Sequence, residues 1–212
     1  RNYPELSGLP VVYVDRPSKG PQAGGVMIES DNEEGGYLAT SELLRAGCRH
    51  IAMLKCLAND TNQVARYRGF QRALAQWNMP EEDALRADLA EVSVDAAQTG
   101  IKALLAHGAR FDGVMCTTDT LAAGAVIALR EEGINVPHDV LVTGFDDCHV
   151  AYICGPGITS VRQDVEQMAH LAAELLLGMI HGETPKQLYY KLPVSLTVRD
   201  STRPRNAAIK QN

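Results

Sequence analysis

The stretch Val140–Asp147, VLVTGFDD, constrains this chain more than any other. Four apolar or β-branched residues lead into Gly144 and Phe145 and then into two adjacent carboxylates. Such a run reads as a strand buried on both faces, the arrangement of a parallel sheet flanked by helices. Its polar tip then faces the crevice where open parallel sheets bind ligands. Two more stretches follow the same plan. Asp112–Asp119 (DGVMCTTD) ends in Thr117, Thr118 and Asp119, and Val11–Asp15 (VVYVD) ends in Asp15 and is followed by Arg16. Polar groups repeated at strand ends point to a binding cleft.

The rest of the chain alternates in step with that reading. A Gly- and Pro-rich loop (Arg16–Gly25) leads to a short strand, Val26–Glu29. Ser30, Asp31 and Asn32 are cap types, and Glu33 and Glu34 suit the positive end of a helix running to Arg45 and stopped by Gly47. His50–Cys56 predicts a strand, Asn59–Gln63 a polar loop, and Arg66–Trp77 a helix with Phe70, Leu74 and Trp77 packed on its apolar side. A weak strand near Leu89–Val92, a helix Asp95–His107, a strand Gly113–Cys116 and a helix Leu121–Glu132 follow. Beyond VLVTGFDD come an extended Ile158–Arg162, a helix Val165–Ile180 and an extended Leu188–Val198. Strand and helix in turn, with short connections, predict an α/β fold with parallel sheets flanked by helices.

The 212 residues have room for one large or two small units of this kind. A net charge of -6 offers no basic footprint for nucleic acid. The five cysteines are odd in number and lack a CxxC pair, which predicts reduced thiols in a cytoplasmic protein. No apolar run approaches membrane-spanning length and no signal peptide precedes Arg1, so no membrane partner is expected. Arg1–Leu9 reads as the end of a helix or loop feeding straight into a strand, as in a chain that starts after its natural beginning. The phosphate-loop, dinucleotide and nucleophile-elbow motifs are missing, and no His is visibly paired with a Ser or Cys nucleophile. Neither enzyme chemistry nor a cofactor is expected. Asp146–His149, and Cys48 with His50 and Cys56, lack the ligand spacing of a zinc site, so no metal is expected either.

Several ordered motifs together resemble the effector-binding core of the lactose-repressor/galactose-repressor (LacI/GalR) family of bacterial transcription regulators. They are LPVVYVDRP, SDNEEGGYLAT, LLRAGCRHIAML, RYRGFQRAL, FDGVMCTTDTLAAGA, NVPHDVLVTGFDD, ITSVRQD and LPVSLTVRDST. The resemblance covers nearly the whole chain. It implies a two-lobed, periplasmic-binding-protein-like type I fold with three crossover strands. One lobe is expected from residues 31–162 plus 194–203; 1–30 plus 163–193 form part of the other, and 204–212 a tail. It further implies a homodimer, with operator DNA bound through an N-terminal helix-turn-helix that this sequence does not contain. A small polar effector, a sugar or sugar derivative, then binds in the interlobe cleft and favours one orientation of the lobes. The alternative from another class is a periplasmic solute-binding protein of a transport system, which shares the fold. The scattered cysteines and the motif match through VPHDVLVTGFDD speak against it.

Carried over residue by residue, the resemblance marks Asp146, Arg66, Thr118, Gln163 and Asp15 as effector contacts. A carboxylate at Asp146 accepts from two hydroxyls at once, and the planar fork of Arg66 grips two oxygens. The competing readings are a helix N-cap or loop brace for Asp146 and a surface helix arginine for Arg66. Asp147 is expected to brace, and Asp15 to contact ligand or pair with Arg16. Thr118 stands where many relatives carry Asn, so it keeps one hydroxyl and loses the amide's two-handed grip. Asp119 is expected to cap the next helix, with ligand contact second, and Phe145 to sit in the core or stack on the effector. Where relatives supply stacking aromatics, this chain has Val94 or Asp95, and Val165. Ala122, Val126, Val150, Tyr152 and Ile153 are the expected dimer contacts.

Overall fold

A computed structural model describes residues 9–15, 25–57, 61–82 and 85–203. The lead-in before Leu9, the Gly- and Pro-rich loop with Arg16, and the tail from 204 lie outside the described residues. In chain order the elements are β1 (Val12–Val14), β2 (Val26–Ser30), α1 (Asn32–Arg45), β3 (Ile51–Cys56), α2 (Thr61–Gln76), β4 (Arg86–Leu89), α3 (Val94–Ala106) and β5 (Gly113–Cys116). They continue as α4 (Asp119–Glu131), β6 (Leu141–Asp146), α5 (His149–Ile153), β7 (Thr159–Gln163), α6 (Val165–Ile180), β8 (Tyr189–Leu192) and β9 (Val194–Thr197). The chain divides into two units, Arg1–Asp31 with Gln163–Val194, and Asn32–Arg162 with Ser195–Asn212.

The larger unit is built on a sheet of order β4-β3-β5-β6-β7-β9, parallel from β4 through β7. Its strands are apolar on both faces because helices cover both. Ala52, Leu54, Val114, Cys116 and Val142 join Ala97, Ile101, Leu121, Ala125 and Leu129 of α3 and α4 in one core. The intervening residues Met53, Met115 and Phe145 are equally buried and face the other way, as the period of two requires. Phe145 lies so close under α1 that a Cβ on Gly35 would sit 2.3 Å from its ring. Burying each such large side chain stabilises the fold by about 2 kcal/mol.

The smaller unit has a parallel sheet of order β1-β2-β8, with Val12 facing Val26 and Met27 facing Tyr189. Ile28, Met168 and Leu192 are its buried cluster. In α6, Met168 is the buried residue, while Val165, Leu177 and Ile180 are exposed.

Three expectations change here. Residues 61–63 are not loop: α2 begins at Thr61, and Asn62 and Gln63 are buried in its first turn because both belong to a polar cluster. Trp77 is not buried. It lies past the last turn of α2, where Asn78 takes φ 53 and ends the helix, and is 39% exposed. Ala122 and Val126 are not on an open face, because α4 packs against both α3 and the sheet. Both belong to the core, which removes them from any dimer contact. Val150 is half-buried against the same core, and Tyr152 and Ile153 on α5 are exposed.

Candidate functional site

The C-terminal ends of β3, β5 and β6 in the larger unit carry a cluster of buried polar side chains: Asn32, Asn62, Gln63, Arg66, Thr117, Thr118 and Asp119. Arg66 is its centre, 3% exposed. α1 and α2 pack closely enough to place it because glycines face each other: a Cβ on Gly36 would lie 2.0 Å from the Arg66 carbonyl oxygen, and one on Gly69 2.0 Å from that of Glu33. The Arg66 guanidinium donates from Nε to Asn32 Oδ1 (2.8 Å) and from Nη1 to the Thr117 carbonyl (2.6 Å). Its plane lies over the Phe145 ring with the carbon 3.6 Å from the centroid. A stacked, hydrogen-bonded guanidinium keeps its charge while buried, which only Arg does well. Nη1 is also 3.4 Å from Asp146 Oδ1. Beside it Gln63 Oε1 accepts from Thr117 Oγ1 (2.5 Å) and from the Cys56 amide (3.2 Å), tying α2 to two strand tips.

The tip of β6 is strained. Asp146 has φ 107 and Asp147 φ 52, a left-handed pair without a glycine. Such conformations cost on the order of 1–3 kcal/mol each and persist where surroundings enforce them, often at binding sites. The two carboxylates divide the work. Asp147 is nearly buried, paired with Arg199 and accepting from Thr197 Oγ1 (3.0 Å), so it is the expected brace. Arg199 is itself held by the Ile158 carbonyl (2.7 Å) and the Tyr152 ring. Asp146 keeps 32% of its side chain exposed beside the Arg66 charge.

Thr118 takes the cap expected of Asp119. Thr118 is the cap of α4, at φ -148 and ψ 160, its Oγ1 accepting from the Leu121 amide (3.2 Å). The hydroxyl proton leaves it one donor for a ligand. Asp119 does not cap and does not reach solvent. Fully buried, it accepts from Ser160 Oγ (2.5 Å) and from the Cys148 amide (2.8 Å), and burial is the largest cause raising its pKa from 3.8 to about 6. That removes it as a direct effector contact. Phe145, fully buried between Arg66 and α1, is likewise removed as a stacking surface.

In the smaller unit, Asp15 and Gln163 are both fastened near the end of β2. The Asp15 amide donates to the Ile28 carbonyl (2.9 Å) at φ 62, and Gln163 Oε1 accepts from Ser30 Oγ (2.8 Å). Sequence reasoning brings Arg66, Asp146 and Phe145 to one place. It misses Asn32 and the Thr117 carbonyl as partners of Arg66, and Asn62 and Gln63 as members of the buried polar cluster around it. The available signal was helical spacing: Asn62 and Gln63 stand four and three residues before Arg66, on its face.

A second concavity of about 990 Å³ lies between β4 and α3 in the same unit, lined by Ala87, Leu89, Ala96, Gly100, Ala103 and Leu104 among others. The charges on β4 are paired: Asp88 with Lys55 (2.7 Å) and Arg86 (3.3 Å). Among the described residues no group of three or more His, Cys, Asp or Glu side chains is placed to hold a metal ion, and no helix is long and apolar enough to cross a membrane.

Residues 40–202 match the family model of the periplasmic binding protein-like domain. The chain is similar to the HTH-type transcriptional regulator CelR of Thermobifida fusca, 33% identical over 195 residues that cover 92% of this chain and 57% of the relative. A solved structure of a CelR–cellobiose complex superposes with a TM-score of 0.85 at 33% identity, covering 92% of this chain and 59% of that one. A LacI family regulator from Enterococcus faecium with bound ribose gives a TM-score of 0.83 at 27% identity, over 95% of this chain and 73% of that one. The chain thus spans a little over half the length of the curated relatives it matches.

Proposed function

The chain belongs to the family of periplasmic binding protein-like domains, in the form shared with LacI-family regulators, and on that footing we propose that it is the effector-sensing part of a transcription regulator. Its effector is a small polyol, a sugar or sugar derivative, held at the strand tips of the larger unit. Asp146 accepts from sugar hydroxyls, Thr118 donates, and Arg66 holds Asp146 in aim. For the smaller unit, Asp15 and Gln163 are its proposed polar contacts to the effector. The observation that carries this reading is the strained Asp146 carboxylate, partly open to solvent and set against a buried arginine that four groups hold in place: Asn32, Thr117, Phe145 and Asp146 itself.

Operator recognition is assigned to a helix-turn-helix segment of the intact protein outside these residues, because a net charge of -6 does not suit a phosphate backbone. The names of the relatives favour gene control over solute capture for transport. A second copy of the chain is proposed to dock on α5, where Tyr152 and Ile153 are exposed. Effector binding shifts the regulator between states only by its difference in affinity for them, and a near-complete switch needs about 5 kcal/mol.

A thermal-shift screen of monosaccharides, disaccharides, sugar phosphates and nucleobases, run on the protein and on Asp146→Ala, tests the assignment. A ligand at a hundredfold excess over Kd raises stability by about 2.7 kcal/mol. The expected result is a sugar whose stabilisation Asp146→Ala abolishes. Stabilisation that survives the substitution places the ligand elsewhere.

A further inference from the structure

The carboxylate that the effector contacts leave unused is Asp119, fully buried at the start of α4. Its two oxygens are directed at the chain just after Asp146. Oδ2 accepts from the Cys148 amide (2.8 Å), and Oδ1 accepts from Ser160 Oγ (2.5 Å), which in turn accepts from the Asp147 amide (3.0 Å). Two successive amides that follow the β6 tip are therefore tied to one carboxylate, one of them through a hydroxyl. Gly144 makes room for it, since a Cβ there would lie 2.3 Å from Asp119 Oδ1. We propose that Asp119 is the positioning residue of this site, gripping the left-handed pair Asp146–Asp147 through Ser160 and the Cys148 amide so that its charge state sets the aim of the Asp146 carboxylate. The proposal rests on the reading of Asp146 as an effector contact.

The Asp147–Arg199 pair fixes a side chain, whereas Asp119 fixes the backbone amides, and these decide whether two consecutive non-glycine residues stay at positive φ. The titratable groups that act on Asp119 or feel it come from three elements: Cys116 on β5, Asp146 on β6 and Cys148 at the start of α5. Asp146 in turn faces the Arg66 cation. Burial and the Asp146 charge raise the Asp119 pKa, the Ser160 and Cys148 bonds lower it, and the balance falls at about 6. Protonation takes a proton from solvent onto the carboxylate. It turns one of the two accepting oxygens into a hydroxyl and removes the like charge facing Asp146, so the grip loosens as pH falls through about 6.

The test is an NMR titration of the ligand-free chain from pH 4.5 to 8, following the Asp147 and Cys148 amides and the Asp146 carboxyl carbon. All three signals are expected to inflect near pH 6, and the inflection is expected to vanish in Asp119→Asn, which keeps volume and one acceptor. In Ser160→Ala the Asp147 amide is expected to lose the inflection while the Cys148 amide keeps it. An unchanged Asp147 inflection in Ser160→Ala, or no inflection that Asp119→Asn removes, overturns the proposal. Cellobiose and ribose are the probes for the second arm, by calorimetry over the same pH range. The expected result is weaker binding below pH 6 in the wild type and a flat profile in Asp119→Asn. Inflecting amides with neither sugar bound support the Asp119 grip and overturn the sugar reading instead.

Discussion

The larger unit presents two concavities with opposite chemistry. At the strand tips, buried amides and hydroxyls surround a guanidinium that is set against Asp146. Between β4 and α3, a groove of about 990 Å³ is walled largely by Ala, Leu and Gly, and the charges that β4 brings to it are already paired. A polyol must exchange every hydrogen bond to water for one to protein, and the groove offers few. Volume alone selects the groove; chemistry selects the tips. The contrast also separates rigidity from exposure. The tip residues are held by tertiary bonds to distant elements, whereas Thr99, lining the groove, hydrogen-bonds within its own helix, to the Asp95 carbonyl.

The largest expected effect that sharpens this contrast is Arg66→Ala, which strands Asn32 Oδ1 and the Thr117 carbonyl and uncovers Phe145. It is expected to cost about 4 kcal/mol in urea unfolding. A loss under about 1 kcal/mol breaks the claim that the tips are held rigid. Next comes Gly69→Ala, whose methyl meets the Glu33 backbone, and a cost of about 3 kcal/mol is expected. Because the new group strikes backbone, a neutral result means that α1 and α2 are not so closely packed.

The pH dependence follows with a definite sign. The folded state raises the Asp119 pKa from 3.8 to about 6, so it binds the proton more tightly than the unfolded chain. The Asp119 contribution is therefore fully present below pH 4 and lost as pH rises through 6, by on the order of 3 kcal/mol in total. The difference in unfolding free energy between the wild type and Asp119→Asn, measured from pH 4 to 7, is expected to fall with that sign. The smallest effect belongs to the groove: Thr99→Ala is expected to change stability by under about 0.5 kcal/mol.

What could be read ahead of the structure depended on where the deciding interaction lies along the chain. The run VLVTGFDD is self-announcing, because a strand buried on both faces must be apolar until it reaches a polar tip, and β6 ends at Asp146 accordingly. Arg66 was legible only through the resemblance, since RYRG alone reads as a surface helix. Asn62 and Gln63 were hidden by their own polarity: NDTNQ looks like a loop, and only the partners on β3 and β5 make its second half a buried helical turn. The move of the cap from Asp119 to Thr118 has the same origin. Local cap preference favours Asp, but Asp119 is drawn to Ser160, 41 residues away, and Thr118 takes the cap. Ala122 and Val126 could not be placed because α4 is apolar around most of its surface, with no face marked as outward. Tyr152 and Ile153 lie on a short helix with an open side, and stay as dimer candidates.

The most direct test of the central claim is calorimetric titration of the best sugar from the screen into three proteins: the wild type, Asp146→Asn, and Thr99→Trp, which sets a bulky ring in the groove. Losing a hydrogen bond to a charged group costs about 1.5–3 kcal/mol, so Asp146→Asn is predicted to weaken binding about 10- to 100-fold. Thr99→Trp is predicted to leave the affinity within about twofold. The reverse pattern, with binding lost in Thr99→Trp and kept in Asp146→Asn, contradicts the account and moves the effector to the groove.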